Sequence, residues 1–211
     1  MKQLTTTSYA ILALLALRPW SAYELSKQMR RNVGEYWPRA ERGIYDEPRN
    51  LVAHGLAEAS TRHRGQRART EYAITEEGRV SLREWLALPS QPPQFESEAM
   101  LRIAFAEHGD PRAALATLSG LRAQAAERRD LIRLVAREYV EGRGTYPERL
   151  PVIGVVIPFF ADYFELLERW STWAGEQVES WSTEGPGPAD HGNALVALQR
   201  VGALSPIAVP D

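Results

Sequence analysis

The sequence predicts a mainly α protein with one small β-hairpin in its first half and an all-α second half. Three observations carry this. Apolar residues recur at steps of three and four along most of the 211 positions, as amphipathic helices require. Only one stretch, from Leu56 to Ile74, holds two strand-like runs around a glycine-containing tip. Charge also divides with the chain. Residues 1–90 carry 14 basic and 10 acidic side chains, whereas residues 91–211 carry 11 and 17. Such asymmetry points to two modules with different partners.

The elements follow in order. Thr5, Thr6 or Thr7 can cap a buried first helix containing Ile11, Leu12, Leu14, Leu15 and Leu17. Arg18-Pro19 breaks it. Ser21-Ala22-Tyr23-Glu24 has the form of a capping box and opens a second helix, with Tyr23, Leu25, Met29 and Val33 as inward candidates and Gly34 as its end. A third helix is expected from about Arg39 to His54, stopped by Gly55 in the left-handed region. Ile44, Pro48, Leu51 and Val52 form its apolar face, and Pro48 predicts a bend because it deletes an amide inside the helix. Leu56–Ser60 and Thr70–Ile74 are the strands. The tip between them, Thr61 to Arg69, carries four arginines, a histidine and no acid. Thr75 caps a fourth helix, with Glu76 and Glu77 in its first turn and Val80, Leu82, Trp85 and Leu86 as its apolar members.

Three helices followed by a basic hairpin and a further helix compose a winged helix-turn-helix over residues 1–88. Several local runs then resemble the PadR family of bacterial transcriptional regulators: the first helix ending in Arg18-Pro19, then Ala22-Tyr23-Glu24-Leu25, Gly43-Ile44-Tyr45, Leu51-Val52-Ala53-His54-Gly55-Leu56, and the wing return Arg69-Thr70-Glu71-Tyr72-Ala73-Ile74-Thr75-Glu76-Glu77-Gly78. The resemblance spans residues 4–86. It implies a DNA-binding regulator, with the Tyr45 position near the DNA backbone, and a helical C-terminal domain that mediates dimerisation.

Chemistry agrees with a nucleic-acid partner. Arginines on a wing can lie along phosphates or enter the minor groove, which nominates Arg62, Arg64, Arg67 and Arg69, with His63 and Gln66 as polar helpers. On the third helix Arg42, Tyr45, Arg49 and Asn50 are placed for a major groove, where arginine suits guanine and asparagine suits adenine. Asp46 and Glu47 are the awkward neighbours: acids there accept from cytosine, pair with Arg42 and Arg49, or repel phosphate. The plainer alternative for every one of these residues is ordinary solvated surface.

Beyond the stiff linker Leu88-Pro89-Ser90-Gln91-Pro92-Pro93, residues 94–182 read as a helical dimerisation domain. A helix covers Glu96–His108. Asp110 and Pro111 then start another, to about Glu141, with the seam Leu115, Leu118, Leu121, Ala125, Ile132, Val135 and Tyr139. A last helix runs from Pro151 to Trp181, interrupted or kinked at Pro158. Phe159, Phe160, Tyr163, Phe164, Trp170, Trp173 and Trp181 crowd into it. They suit a core and dimer interface, or an effector pocket for a small apolar or aromatic molecule built from Phe160, Phe164, Trp170 and Trp173 with Arg169 or Glu165 as polar anchor. Residues 183–211 read as a flexible linker and tail, in which Asn193–Leu204 can form a short helix.

Enzymatic chemistry finds no purchase. The chain has no cysteine, its four histidines are never paired at helical spacing, and it lacks nucleophile-elbow, P-loop and dinucleotide motifs. No metal, cofactor or membrane span is expected; the apolar run Val152–Phe164 is broken by Pro158 and Asp162. The sequence therefore predicts a cytoplasmic homodimer that binds palindromic double-stranded DNA as a repressor released by a small molecule. The rival is a winged helix that binds protein rather than DNA.

Overall fold

The structure, a computed structural model, describes residues 3–32, 37, 44–64, 67–182 and 185–202. Two compact units divide the chain, Met1–Pro93 and Gln94–Asp211.

In the first unit, α1 (Thr6–Leu15) is closed at its start by a reciprocal capping box between Thr5 and Ser8. Trp20 finishes the other end: its Nε1 donates to the Leu14 carbonyl at 2.9 Å, and the Arg18 guanidinium lies 3.4 Å over its ring. α2 (Ala22–Asn32) starts at the expected capping box, with the Glu24 amide on Ser21 Oγ at 3.3 Å and the Ser21 amide on Glu24 Oε2 at 3.0 Å. Ile11, Leu12, Leu15, Trp20, Leu25, Met29, Ile44 and Leu51 form the buried core. Each such side chain contributes about 1.5–3 kcal/mol. Tyr23, expected inside, is exposed, and so are the apolar Val80 and Leu86: single helices bury one stripe, and these fall off it. The expected end of α2 at Gly34 lies outside the described residues.

α3 is shorter than expected, Glu47–Ala53, preceded by a turn at residues 44–46. Pro48 sits in its first turn, where no intrahelical amide bond is lost. The bend expected within a longer helix is thus replaced by a helix start. The stop is as the sequence predicts: Gly55 has φ +72°, its amide bonds Val52, and the Leu56 amide bonds Leu51.

That turn feeds β1 (Ala57–Arg64), which pairs antiparallel with β2 (Arg67–Ile74). The strands are longer than expected and take in the arginines. Trp20 adds a bridge on the other edge of β2, exchanging two backbone bonds with Tyr72 (3.0 and 2.8 Å). Thr75 caps α4 (Glu76–Ala87) by accepting from Gly78 and also donates to the Gly55 carbonyl at 2.7 Å. Gly78 is demanded by space: a Cβ there would stand 2.1 Å from the Leu56 carbonyl oxygen. Trp85 of α4 stacks on Tyr9 of α1.

The second unit holds α5 (Glu98–Ala104), a 3-10 turn at Ala106–His108, and two long helices, α6 (Pro111–Val140) and α7 (Leu150–Val178). Asp110 caps α6, accepting from the Arg112 amide at 2.8 Å. α6 and α7 pack along Ala114, Leu118, Ala174 and Val178, with Ile103, Leu115, Trp170 and Trp181 around them. Of the two expectations at Pro158, an interruption is absent: α7 continues through it. The segment expected to be a flexible tail contains α8 (Pro188–Gly202). Its start is organised by Asp190, whose carboxylate accepts from the Ser180 hydroxyl (2.6 Å) and the Gly187 amide (2.8 Å); these bonds hold its carboxyl below the usual range.

α7 is apolar on two faces. One packs on α6. The other, Val152, Val155, Val156, Phe159 and Leu166, is exposed. Within Pro147–Val178 the chain is long and apolar enough by length and composition to cross a membrane, and only 11% of its most apolar window is buried. An apolar stripe of this size needs a cover.

Candidate nucleic-acid interface

The interface candidates lie on α3 and on the hairpin, which the Gly55 turn joins directly. Register decides how the hairpin charges are arranged. Arg62 pairs with Arg69, and Arg64 with Arg67. Because a strand alternates faces every residue, these four positions share one face of the ladder. The buried Ala57 and Tyr72 belong to the opposite face. His63 pairs with Ala68, also on that opposite face. Like charges directly across a ladder are destabilising. The two arginine pairs therefore work against the hairpin, offset at Arg69 by the Glu24 carboxylate, and an anion placed along that face relieves the rest. The sequence shows four arginines at the tip; only the register gathers them.

Arg69 has a protein partner. Its Nη2 lies 3.0 Å from Glu24 Oε2 and also donates to the Ser21 hydroxyl in a short bond. Burial raises the Glu24 carboxyl, but the Ser21 amide and hydroxyl together with the Arg69 and Arg18 charges outweigh it and hold the group below its ordinary value.

Around α3 the expected residues separate. Arg49 is exposed on the helix, and Tyr45 is exposed in the turn before it. Asn50 is half-buried, and its Nδ2 donates to Glu47 Oε1 at 2.9 Å. Glu47, read as a possible base or phosphate neighbour, is only 3% exposed. It accepts from the buried Ser8 hydroxyl at 2.5 Å, tying the start of α3 to α1. Sequence reasoning missed this role. The available signal was Ser8, a hydroxyl on the apolar side of α1 that needed a buried partner. Arg42 and Gln66 lie outside the described residues, and for Arg62, His63, Arg64 and Arg67 the description is of backbone and register.

The four residues read as an effector pocket occupy different surroundings. Phe160 and Phe164 are buried, and Trp170 packs against the core cluster. Only Trp173 lines an open groove of about 460 Å³, together with Arg129, Glu165, Glu168 and Arg169. Arg129 is already bonded to Glu168 and Asp130 there. Among the described residues no cluster of His, Asp or Glu could hold a metal ion.

Residues 11–84 match the model of the transcriptional regulator PadR-like family. A probable transcriptional regulator of Mycobacterium tuberculosis is 26% identical over 136 residues, 59% of this chain and 72% of that protein. The negative transcriptional regulator PadR of Bacillus subtilis is 28% identical over 99 residues, 46% of this chain and 54% of that protein. Its crystal structure in complex with operator DNA superposes with a TM-score of 0.72 at 17% identity, covering 84% of this chain and 99% of the other. Its complex with p-coumaric acid gives 0.62 at 18%, covering 83% and 100%. The fold is therefore that of PadR winged-helix proteins.

Proposed function

We propose that this chain, whose residues 11–84 match the PadR-like family model, is a PadR-like transcriptional regulator, a cytoplasmic homodimer that represses transcription by binding a palindromic operator. The carrying observation is the wing register, which collects Arg62, Arg64, Arg67 and Arg69 on one face. DNA relieves that like-charge row by supplying phosphates and releasing counterions. Arg49 on the exposed side of α3 and Tyr45 in the turn before it, with Arg42 upstream, supply groove and backbone contacts. Asn50 contributes through its carbonyl oxygen while Glu47 holds its amide nitrogen. His63 and Gln66 add polar contacts at the tip.

Two further parts of the reading have their own support. The exposed stripe of α7 is covered by the same stripe of a second copy, since a two-fold dimer buries a self-complementary patch and matches the symmetry of a palindrome. Burying it between copies, and not in a bilayer, fits a helix that also packs on α6. The Bacillus subtilis relative is a negative regulator and has been crystallised with p-coumaric acid. By likeness, a small apolar or aromatic effector releases this chain from DNA by favouring a dimer geometry with the wrong wing spacing. Among the aromatics proposed for it, Trp173 borders the open groove, whereas Phe160, Phe164 and Trp170 would have to move to admit a ligand.

Mobility-shift titration over a range of salt tests the DNA reading. Arg64→Ala with Arg67→Ala should weaken binding to all sequences and flatten the log–log salt slope by about 1.8, at roughly 0.9 for each phosphate left without its arginine. An unchanged slope would remove the wing from the interface.

A further inference from the structure

Arg69 is set apart from the other wing arginines by what it touches. Glu24 Oε2 accepts two hydrogen bonds, from the Ser21 amide and the Ser21 hydroxyl, and forms an ion pair with Arg69 Nη2, each at 3.0 Å. Ser21 Oγ in turn accepts from the Glu24 amide and from Arg69. The capping box of α2 thus does two jobs: it starts the helix, and it grips a side chain of β2. Ser21 directly follows Trp20, whose backbone already pairs with Tyr72. The wing is therefore attached to the entry of α2 at two points on one strand.

Geometry gives the second point its value. From Tyr72 to Arg67, the end of β2, is five residues, about 17 Å at the rise of a strand. From Arg69 it is two, about 7 Å. Fixing Arg69 more than halves the projecting lever, so a given angular swing moves that end less than half as far. Glu24 also neutralises one member of the Arg62–Arg69 cross-strand pair. An arginine with its guanidinium committed to a carboxylate and a hydroxyl has less to offer a phosphate.

We propose that Arg69 is a positioning residue, a clasp that fastens the wing to the Ser21–Glu24 capping box and holds the other wing arginines at the DNA. This rests on the reading of the wing as a DNA contact.

The test uses the full chain, DNA selected from a random library, and the variants Arg69→Ala, Glu24→Gln and their combination. Arg69→Ala should weaken binding about fivefold with the salt slope unchanged. Glu24→Gln should weaken it similarly, although it removes a negative charge beside a polyanion, and the double variant should be no worse than either single one. Hydrogen exchange gives a readout independent of DNA. Hairpin amides beyond Tyr72 should exchange about fivefold faster in both single variants, while the Tyr72 amide is unaffected. Glutamine retains a capping acceptor, so Glu24→Gln decides the matter even if Arg69→Ala fails to fold. A slope shallower by about 0.9 in Arg69→Ala, with Glu24→Gln binding as tightly as the parent or more so, would make Arg69 a phosphate ligand and overturn the proposal. So would unchanged exchange. If no DNA binds yet exchange quickens, the clasp stands and the DNA reading falls.

Discussion

Glu47 offers the sharpest check on how α3 is held. Its carboxylate is 3% exposed and accepts from Ser8 Oγ at 2.5 Å and Asn50 Nδ2 at 2.9 Å, while Ser8 is 1% exposed. Hydrogen bonds to a charged group contribute about 1.5–3 kcal/mol each, and a buried donor left without an acceptor costs about 1–3 kcal/mol. Glu47→Ala removes both bonds and leaves the buried Ser8 hydroxyl only its longer contact with Thr5 Oγ1 at 3.3 Å, whereas Asn50 is only half-buried and can turn to water. The expected loss is about 3 kcal/mol. Glu47→Gln keeps an acceptor oxygen and loses the charge, so about 1 kcal/mol is expected. Adding Ser8→Ala to Glu47→Ala should cost only about 1 kcal/mol more, for the capping bond from the Thr5 amide, because the Ser8–Glu47 bond is already lost. The assay is urea unfolding of the full chain, read as a lower midpoint at constant slope. Operator affinity should fall with stability in Glu47→Ala, since the start of α3 loses its tie to α1. Were Glu47→Ala within about 0.5 kcal/mol of the parent, the ordinary range for surface substitutions, Glu47 would be behaving as surface, and the buried link between α1 and α3 would be refuted.

Other predictions follow from single features. Gly78→Ala places a Cβ 2.1 Å from the Leu56 carbonyl oxygen, and overpacking against backbone should cost about 2 kcal/mol or more in the same unfolding assay; a neutral result would mean the α4–β1 junction is looser than described. Val155→Asp with Phe159→Asp puts charges on the exposed stripe of α7, and light scattering should report a monomer, unless that stripe is not the dimer face. The Glu24 carboxyl is held below its ordinary value, so its contribution is full above the ordinary glutamate range and is lost as pH falls through its lowered pKa. The stability gap between the parent and Glu24→Gln should therefore narrow on acidification below that range, and a gap that widens would contradict the sign.

What was legible in the sequence was chiefly local. Ser21-x-x-Glu24, Asp110-Pro111, Thr75 and Gly55 each satisfy a helix terminus with residues near in the chain, and each stands where the spacing predicts. The wing was legible as two strands with basic residues between them. Its register was not, because the extent of pairing depends on backbone bonds that side-chain types barely encode. Glu47 was misread for a physical reason: a carboxylate is normally solvated, and its burial depends on Ser8, 39 residues away. Arg69 is the same case, since a basic residue on a wing looks like a phosphate ligand until the capping box beside it is seen to hold its guanidinium. The helix α8 rests on Asp190, whose contact with Ser180 spans the linker and carries no periodic signal. The sequence did not show which aromatics of α7 turn to its neighbour, because a helix apolar on two faces does not announce which face packs on α6.

Selection of bound DNA from a random library, followed by the mass of the complex formed on the selected duplex, tests the central claim most directly. A dimer that reads DNA with two wings predicts a two-fold symmetric motif, half-sites about one helical turn apart or a multiple of it, and two chains per duplex. No enriched motif, or one chain per duplex, would contradict it.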